Sequence, residues 1–221
     1  MKPRQRGSKP SGPGERSETP PARRGRPPQR LDRRDSILDA ALACFVERGF
    51  YGTAIPEISK RAKIATGTIY HYFESKETLV NALYRKWKGA VAQRVFAAFP
   101  QGASPREQVR VTWHEMVAFA RENPTAFAFI ELHNHGSYLD DESRTVDRNV
   151  KDFAEVMVAQ AQVQGLVKPL EAKLLMELVF GAFTGMMRAH WEGRITLDES
   201  AIARAEAACW DMLALPAEAR S

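Results

Sequence analysis

The sequence predicts an all-α fold in which a small three-helix unit is followed by a larger helical unit. After residue 33, apolar residues recur every three or four positions, which is the period of helices that bury one face. Serine, Asn-Pro and glycine separate these stretches, and such residues mark the ends of helices. From Ser104 onwards nothing in the pattern indicates a β-hairpin. These three observations carry the fold prediction.

Length and composition indicate a cytoplasmic protein with two units. The 221 residues are enough for one small module and one larger domain. No apolar run reaches the roughly 18 residues that a membrane helix needs, and the basic N-terminus lacks the apolar segment of a secretory signal. Cys44 and Cys209 lie far apart on helical patterns, so we expect buried free thiols, no disulfide and a reducing compartment.

Residues 1–30 form a basic segment that we expect to be disordered. They contain nine Lys or Arg and two Glu, which gives +7, while the whole chain carries +5, so the remainder carries −2. Proline, glycine, serine and arginine dominate the segment, and it has almost no large apolar side chain to bury. The basic character therefore belongs to this N-terminal arm and not to the folded body.

The first helix is predicted from about Arg33 to Arg48, with Gly49 as its C-terminal cap. Its apolar stripe consists of Ile37, Leu38, Ala41, Leu42, Phe45 and Val46. This helix carries no binding chemistry of its own, so we expect it to complete the core of the three-helix unit.

Two short helices follow, and their spacing predicts a helix-turn-helix. The first runs from Pro56 to Lys63, and the second from about Thr66 to Tyr72. Ile64 and Ala65 separate them, and a further helix begins near Ser75. In a helix-turn-helix the second helix lies in the major groove of DNA, where its first residues approach base edges.

The second short helix has the small and hydrogen-bonding side chains that groove contact requires. We expect base reading by Thr66, Thr68 and His71. Gly67 would let the backbone approach DNA closely. Phosphate contacts are predicted for Tyr70, Tyr72, Lys76 and Thr53, with Thr53 an alternative cap of the preceding helix. The alternative is a surface helix packed through Ile69 and Phe73, with two solvated tyrosines.

Residues 34–90 resemble the DNA-binding domain of the TetR family of bacterial transcription regulators. The resemblance rests on ILDAALACFVERGFYGT, IPEISKRAKI and TGTIYHYFESKETLVNAL. This chain departs from the family pattern at three positions, where it has Ala54, Lys63 and Ala65. We expect either a left-handed Lys63, at a cost of about 1 kcal/mol, or a different turn. Thr66 is expected to replace the missing cap.

The basic arm contains RRGRPP at residues 23–28, which resembles an AT-hook. We expect Arg24 and Arg26 to enter an A·T-rich minor groove beside the major-groove helix. The alternative is a solubilising tail with non-specific affinity for phosphate.

The remaining chain is predicted to consist of helices, the first being a long one from Ser75 to Phe99 that could act as a lever between the two units. The others are expected at about 104–123, 125–134, 141–164, 169–191 and 197–215.

The larger unit is rich in aromatic and methionine side chains that suit an apolar ligand. The predicted pocket consists of Trp113, Met116, Phe127, Ile130, Phe183 and Met187. An ordinary core is the alternative for each of them. His133 and His135 are too sparse for a metal site. No catalytic constellation or phosphate loop is present in the sequence, so we expect no enzyme activity, no cofactor and an unidentified small-molecule effector.

The last two helices are predicted to form a homodimer interface, because one short recognition helix reads too few base pairs. The expected interface residues are Phe180, Gly181, Gly185, Ala205, Cys209 and Met212. The resemblance implies a four-helix interface of the same kind. The alternative is a central core helix of a monomer.

The combined prediction is a ligand-responsive repressor that binds a palindromic operator in double-stranded DNA, in the bacterial cytoplasm and associated with the nucleoid. Residues 1–30 would be the arm, 31–90 the DNA-binding domain and 91–221 the ligand-binding and dimerisation domain. Two other interpretations remain: a helical carrier or enzyme that uses the first unit as a scaffold, and an architectural DNA protein without an effector.

Overall fold

A computed structural model of the chain describes residues 30–216, with side chains described from residue 33. The predicted minor-groove arginines Arg24 and Arg26 lie outside the described residues. Within the described range every named element is helical, which confirms the all-α prediction. The sole β-type feature there is an isolated antiparallel bridge between Val167 and Ala214.

The helices lie close to the bounds that the sequence predicts. They are α1 Arg30–Arg48, α2 Ile55–Ala62, α3 Thr66–Tyr72, α4 Lys76–Ala98, α5 Pro105–Glu122, α6 Pro124–Phe127 with a π-helical turn Ala128–Leu132, α7 Asp141–Val163, α8 Ala172–Trp191 and α9 Glu199–Leu213. No helix in this range is both long and apolar enough to span a bilayer.

Side-chain caps explain why several helices begin where they do. The hydroxyl of Ser75 accepts the Thr78 amide at 3.1 Å at the start of α4. Ser104 accepts the Glu107 amide at 3.3 Å before α5. Such caps satisfy amides that have no partner inside the helix, and they are visible in sequence because the donor lies three residues away.

The N-terminal helices share one core that holds α3 in place. Ile58 of α2 and Ile69 of α3 are fully buried, and Phe45 of α1 is 1% exposed. Leu79 and Leu83 complete this core from α4. Because α4 continues to Ala98, the boundary predicted at residue 90 falls inside a helix, and the two units share that helix.

Two details of the larger unit differ from the sequence-based prediction. Helix α8 begins at Ala172 and not at Pro169, because the preceding segment pairs with the end of α9: the amide of Lys168 donates to the carbonyl of Leu213 at 2.9 Å. The helix predicted at 125–134 is instead the short α6 followed by the π-helical turn. A π-helical turn is rare and is frequently found at functional sites.

Candidate nucleic-acid interface

The turn between α2 and α3 is closed by Lys63, which has a φ of 55°. Its backbone is therefore in the left-handed region, as one of the two sequence-based alternatives predicts. The amide of Ile64 then donates to the carbonyl of Ser59 at 3.0 Å, which ends α2. This turn places the exposed Lys63 three positions before Thr66, the first residue of α3.

Helix α3 has one buried face and one face directed to solvent. Ile69 is completely buried, and Phe73, which ends the helix, is 3% exposed. On the other side Tyr70 is 52% exposed and His71 is exposed. Within residues 30–216 no hydrogen bond is recorded for the hydroxyls of Tyr70, Tyr72 and Thr68. These polar groups are available to an external partner.

Gly67 lies on the solvent side of α3 and has no packing role in the subunit. A Cβ at this position would meet nothing within 4 Å, and the φ of Gly67 is not in the left-handed region. Glycine in a helix costs about 1 kcal/mol relative to alanine, so neither packing nor backbone conformation explains it here. Close approach of an external backbone or base edge, as the sequence predicts, remains a physical reason for it.

The start of α3 differs from the prediction that Thr66 caps the helix. The N-cap is Ala65, and no side chain caps the helix. The hydroxyl of Thr66 instead lies 2.9 Å from that of Ser59 on α2. This hydrogen bond joins the two helices of the motif, so Thr66 has a partner within the protein, and its predicted base contact stays a prediction.

Thr53 is buried, and this corrects its predicted contact with phosphate. Its side chain is 2% exposed, and its hydroxyl lies 2.8 Å from the carbonyl of Gly49 and 3.1 Å from that of Cys44. The cap of α2 comes from Glu57, whose carboxylate accepts the Ala54 amide at 2.9 Å. Thr53 therefore closes the α1–α2 turn from within.

The ammonium of Lys76 has two partners inside the protein, and its predicted contact with phosphate stays a prediction. The ammonium donates to the carbonyls of Phe50 and Thr53, each at 2.9 Å. It also lies over the Phe50 ring, 4.3 Å from its centroid. Lys76 thus fastens the start of α4 to the turn before α2.

Some cations near α3 that the sequence analysis missed are exposed. Lys60 and Lys63 have no recorded ion-pair partner within residues 30–216, whereas Arg61 pairs with Glu47 at 2.6 Å. The guanidinium of Arg34 lies 5.3 Å from the centroid of the Phe73 ring at the end of α3. The N-terminal part of α1 therefore lies beside the C-terminal end of α3.

The predicted ligand-pocket residues pack against one another, as in the alternative of an ordinary core, and their role as a ligand pocket stays a prediction. Trp113 and Phe127 both contact Phe183, with ring centroids 5.1 and 5.8 Å apart. Phe183 is 1% exposed and Met187 is fully buried. Ile130 is also buried, and Met116 is half-buried against the same core.

Two cavities in the described part of the chain lie elsewhere. One, of about 440 Å³, is bounded by the α4–α5 connection, Gln108 of α5, and Met157 and Gln160 of α7. The other, of about 370 Å³, lies between Val46 of α1 and Trp191 of α8. No group of three or more His, Cys, Asp or Glu side chains among the described residues could hold a metal ion.

The predicted dimer residues divide into an exposed and a buried set. Gly181 and Gly185 are exposed, and a Cβ at either would meet nothing within 4 Å. Met212 is 37% exposed, and Phe180 and Ala205 are half-buried. Cys209 is 5% exposed and belongs to the subunit's own core, so its assignment to the interface is wrong.

Comparisons with known proteins agree over both parts of the chain. The profile of a family described as "Bacterial regulatory proteins, tetR family" matches residues 37–83. A second, described as "Tetracyclin repressor-like, C-terminal domain", matches residues 86–215. The chain is 23% identical to the fatty acid metabolism regulator protein of Bacillus subtilis over 66% of this chain and 76% of that one.

Two further proteins show the extent of the similarity. The A-factor receptor protein of Streptomyces griseus is 31% identical over 68% of this chain, but the match spans about half (52%) of the receptor. The crystal structure of a TetR family transcription regulator from Marinobacter aquaeolei VT8 superposes with a TM-score of 0.75 at 25% identity. That superposition covers 83% of this chain and 96% of the other.

Proposed function

The chain belongs to the TetR family of bacterial transcription regulators, and we propose that it is a homodimeric repressor that leaves a palindromic operator when a small molecule binds. In this proposal residues 31–90 bind DNA, and residues 91–221 bind the effector and form the dimer. The protein works in the bacterial cytoplasm, on the nucleoid.

The exposed face of α3 is the single observation that carries the proposal. It presents the hydroxyls of Thr68 and Tyr70 without a recorded partner in the described chain, and a glycine at position 67 that subunit packing does not require. A scaffold helix has no use for this combination. A helix that enters the major groove needs small and polar side chains at its N-terminal end.

Groove geometry and the exposed face of α8 support the proposed homodimer. Leu174 and Leu178 are 48% and 47% exposed there, on the same side as Gly181 and Gly185. Small residues let a second helix approach closely, and the leucines supply apolar area to bury. Two recognition helices about 34 Å apart read two half-sites of a palindrome.

The proposed effector acts through α4, which extends from the DNA-binding unit into the larger unit. An effector that binds one arrangement of the two units better than the other shifts the population towards it. When the separation of the two recognition helices no longer matches the DNA, only one of the two half-sites is bound. One relative is named as a receptor, which supports an effector for this chain as well.

The proposal is tested by incubating the purified protein with fragmented genomic DNA and sequencing the fragments that it retains. We expect a shared palindrome whose half-site centres are about 10 base pairs or a multiple apart. We also expect the small-molecule fraction of the host cells to release the protein from the same fragment. Retained fragments without a common palindrome would contradict the two-half-site arrangement.

Substitutions on α3 are expected to separate base reading from phosphate contact. Thr68→Ser and His71→Asn should change the base preference at defined operator positions, because each base-edge contact contributes about 1–3 kcal/mol of discrimination. Tyr72→Phe should weaken binding to all sequences alike, because a phosphate contact carries no sequence information. Selection from a randomised operator library measures the preference.

Position 60 offers a matched control for this experiment. Lys60 is exposed and cationic, and it lies on α2 and not on α3. Lys60→Gln should reduce affinity without changing the selected sequence. An unchanged selected sequence for both the Thr68 and the His71 variants would show that other residues read the operator.

The basic arm is proposed to enter an A·T-rich minor groove that flanks the operator. A chain that starts at Leu31, or the double variant Arg24→Ala, Arg26→Ala, should bind more weakly and with a shallower dependence on salt. In the double variant, the loss of two cations near phosphates should reduce the slope of log K against log salt by about 2. Fluorescence anisotropy at salt concentrations from about 50 to about 200 mM, where phosphate-dependent affinity falls strongly, measures this slope.

Base analogues provide the control for the arm. Flanking I·C pairs present the minor-groove edge of A·T pairs but the major-groove edge of G·C pairs, whereas G·C pairs add an amino group in the minor groove. We expect the full chain to keep its affinity with I·C flanks and to lose it with G·C flanks. Equal affinity for the two flanks would remove the minor-groove role.

A second candidate function is a DNA-binding protein that has no effector. One observation favours it: Trp113, Phe127 and Phe183 fill the centre of the larger unit. The two functions differ in the release experiment. No release by the small-molecule fraction, with normal palindrome binding, would favour the second function.

A further inference from the structure

The segment 133–140, which we call the junction loop, connects the π-helical turn to α7 and contacts both units. Asn81 of α4, which is 2% exposed, holds it in place. The side-chain amide of Asn81 donates to the carbonyl of Tyr138 at 2.8 Å and accepts the amide of Asp140 at 2.9 Å. The loop is thus fixed to the helix that the two units share.

His135 lies at the centre of the junction loop and is 7% exposed. Its Nε2 contacts the carbonyl oxygen of Phe129, and its Nδ1 lies 2.8 Å from the hydroxyl of Tyr138. A carbonyl only accepts, so Nε2 carries the hydrogen and Nδ1 accepts from Tyr138. Burial lowers the pKa of His135 to about 4, so the ring is neutral at pH 7, as this arrangement requires.

The contact of His135 with Phe129 joins the loop to the π-helical turn. Phe129 lies inside that turn, and its ring stacks on Phe45 of α1 with centroids 6.3 Å apart. Because the widened turn alters the usual backbone pairing, an outside donor for the Phe129 carbonyl stabilises this local conformation. Any shift of the π-helical turn therefore changes the partner of His135.

On its other side the junction loop contacts the turn that precedes α2. The ring of Tyr138 stacks on Phe50 with centroids 4.2 Å apart. The hydroxyl of Tyr51 lies 3.0 Å from that of Ser137. The carbonyl of Phe50 accepts from Lys76, which also donates to the carbonyl of Thr53, two positions before α2. A continuous set of contacts thus leads from the larger unit to the helix-turn-helix.

We propose that His135 and Tyr138 are positioning residues that transmit the state of the π-helical turn to the helix-turn-helix. This inference rests on the proposed DNA-binding function and names the route by which it is regulated. When the turn holds the Phe129 carbonyl in reach of His135, Tyr138 is oriented by its hydroxyl and packs against Phe50. When the turn rearranges, Tyr138 is released, and the segment before α2 loses its support.

The test combines three substitutions with hydrogen exchange and DNA affinity. His135→Leu removes both hydrogen bonds, and Tyr138→Phe removes one but keeps the stack on Phe50. His135→Gln retains one donor and one acceptor and serves as the rescue. Asn134→Ala is the matched control, because Asn134 is an exposed neighbour whose side chain accepts an amide within the loop.

We expect His135→Leu to raise amide exchange in residues 49–54, which contain none of the substituted positions, by about tenfold, the scale of a lost buried hydrogen bond. DNA affinity should fall by a similar factor, while the Gln and Asn134 variants stay within about twofold of the unchanged protein. Tyr138→Phe should give a smaller effect of the same kind. Exchange in α8 should not change.

Two results would overturn the inference. One is exchange that rises only within residues 128–140, which would confine His135 to a local structural role. The other is exchange that rises equally in α8, which would indicate general destabilisation. Amide exchange is measured without DNA, so it does not depend on the proposed DNA binding. If the proposed DNA binding is wrong, the wild-type protein will retain no genomic fragment, whatever the exchange data show.

Discussion

Replacing Leu178 by arginine should convert the protein into a monomer and reduce operator affinity about 10³-fold, the lower end of the usual ratio of specific to non-specific binding. Leu178 is 47% exposed in the subunit, in the middle of the α8 face that includes Gly181 and Gly185. A charged side chain there would be desolvated by a second copy without a partner. A monomer presents one recognition helix, and so it contacts one half-site.

The control for Leu178→Arg is Val156→Arg on α7. Val156 is also apolar and 53% exposed, but it lies on α7 and not on α8. Light scattering coupled to size exclusion measures the mass, and anisotropy measures affinity for the retained fragment. If Leu178→Arg stayed dimeric while Val156→Arg became monomeric, α7 would form the interface.

The helices could be predicted from sequence because their signals are local. Ser75 and Ser104 each cap a helix by accepting a hydrogen bond from the amide three residues later. The apolar residues of α1 recur every three or four positions. The donor and acceptor of each cap, and the spacing of the apolar residues, therefore all lie within a short stretch of sequence. The order of helices and the buried face of α3 follow from the same local rules.

The candidate site was predicted less completely, because the direction of a polar side chain depends on distant partners. Thr53 and Lys76 fit a DNA-contacting pattern, but Lys76 donates to carbonyls more than 20 positions earlier in the chain. No local rule distinguishes an inward lysine from an outward one at the first turn of a helix. Gly67 was predicted to let the backbone approach DNA, because a glycine inside a helix is unfavourable without such a reason, and that contact stays a prediction.

The π-helical turn and the aromatic core show the same limit in the larger unit. The residues of this turn are compatible with an ordinary α-helix, and the wider turn is accompanied by contacts of Phe129 with His135 and Phe45. Aromatic residues at helical spacing are compatible with a pocket or a core. The choice depends on how closely α5 and α8 pack, which the sequence pattern does not encode.

Replacing Lys88 by methionine should destabilise the fold by about 3–5 kcal/mol, because it leaves buried carboxylates without their cation. Lys88 is 5% exposed in the middle of α4. Its ammonium lies 3.0 Å from the carboxylate of Glu131 in the π-helical turn and 3.1 Å from that of Asp147 on α7. Thermal denaturation should give a melting temperature lower by roughly 10 °C, at about 2–4 °C per kcal/mol for a chain of this size.

Lys86→Met on the same helix is the matched control. Lys86 pairs with Asp35 at 3.1 Å, but the pair is partly exposed to solvent, so its loss should cost at most about 1 kcal/mol. The double variant Lys88→Met, Glu131→Leu should recover part of the loss, because the unpaired carboxylate is removed with the cation. Equal melting temperatures for the two methionine variants would show that the buried cluster contributes no more than a surface pair.

The pH dependence distinguishes an uncompensated charge from a packing defect. Burial alone would lower the pKa of Lys88, but the charges of Glu131 and Asp147 outweigh it and raise that pKa, so Lys88 stays charged at neutral pH. Burial raises the pKa of Glu131, and the loss of Lys88 should raise it further. A raised carboxyl pKa gives stability that is present below the unfolded pKa and lost as the pH rises through the folded value.

Burial also opposes ionisation of Asp147, but Lys88 and Lys151 lower its pKa, which gives stability that is lost as the pH falls. Removing Lys88 takes away part of that contribution, and both changes act in the same direction. The deficit of Lys88→Met relative to the unchanged protein should therefore be smaller at pH 5 than at pH 8. A cavity left by a missing side chain has no such dependence, so an equal deficit at the two pH values would assign the loss to packing.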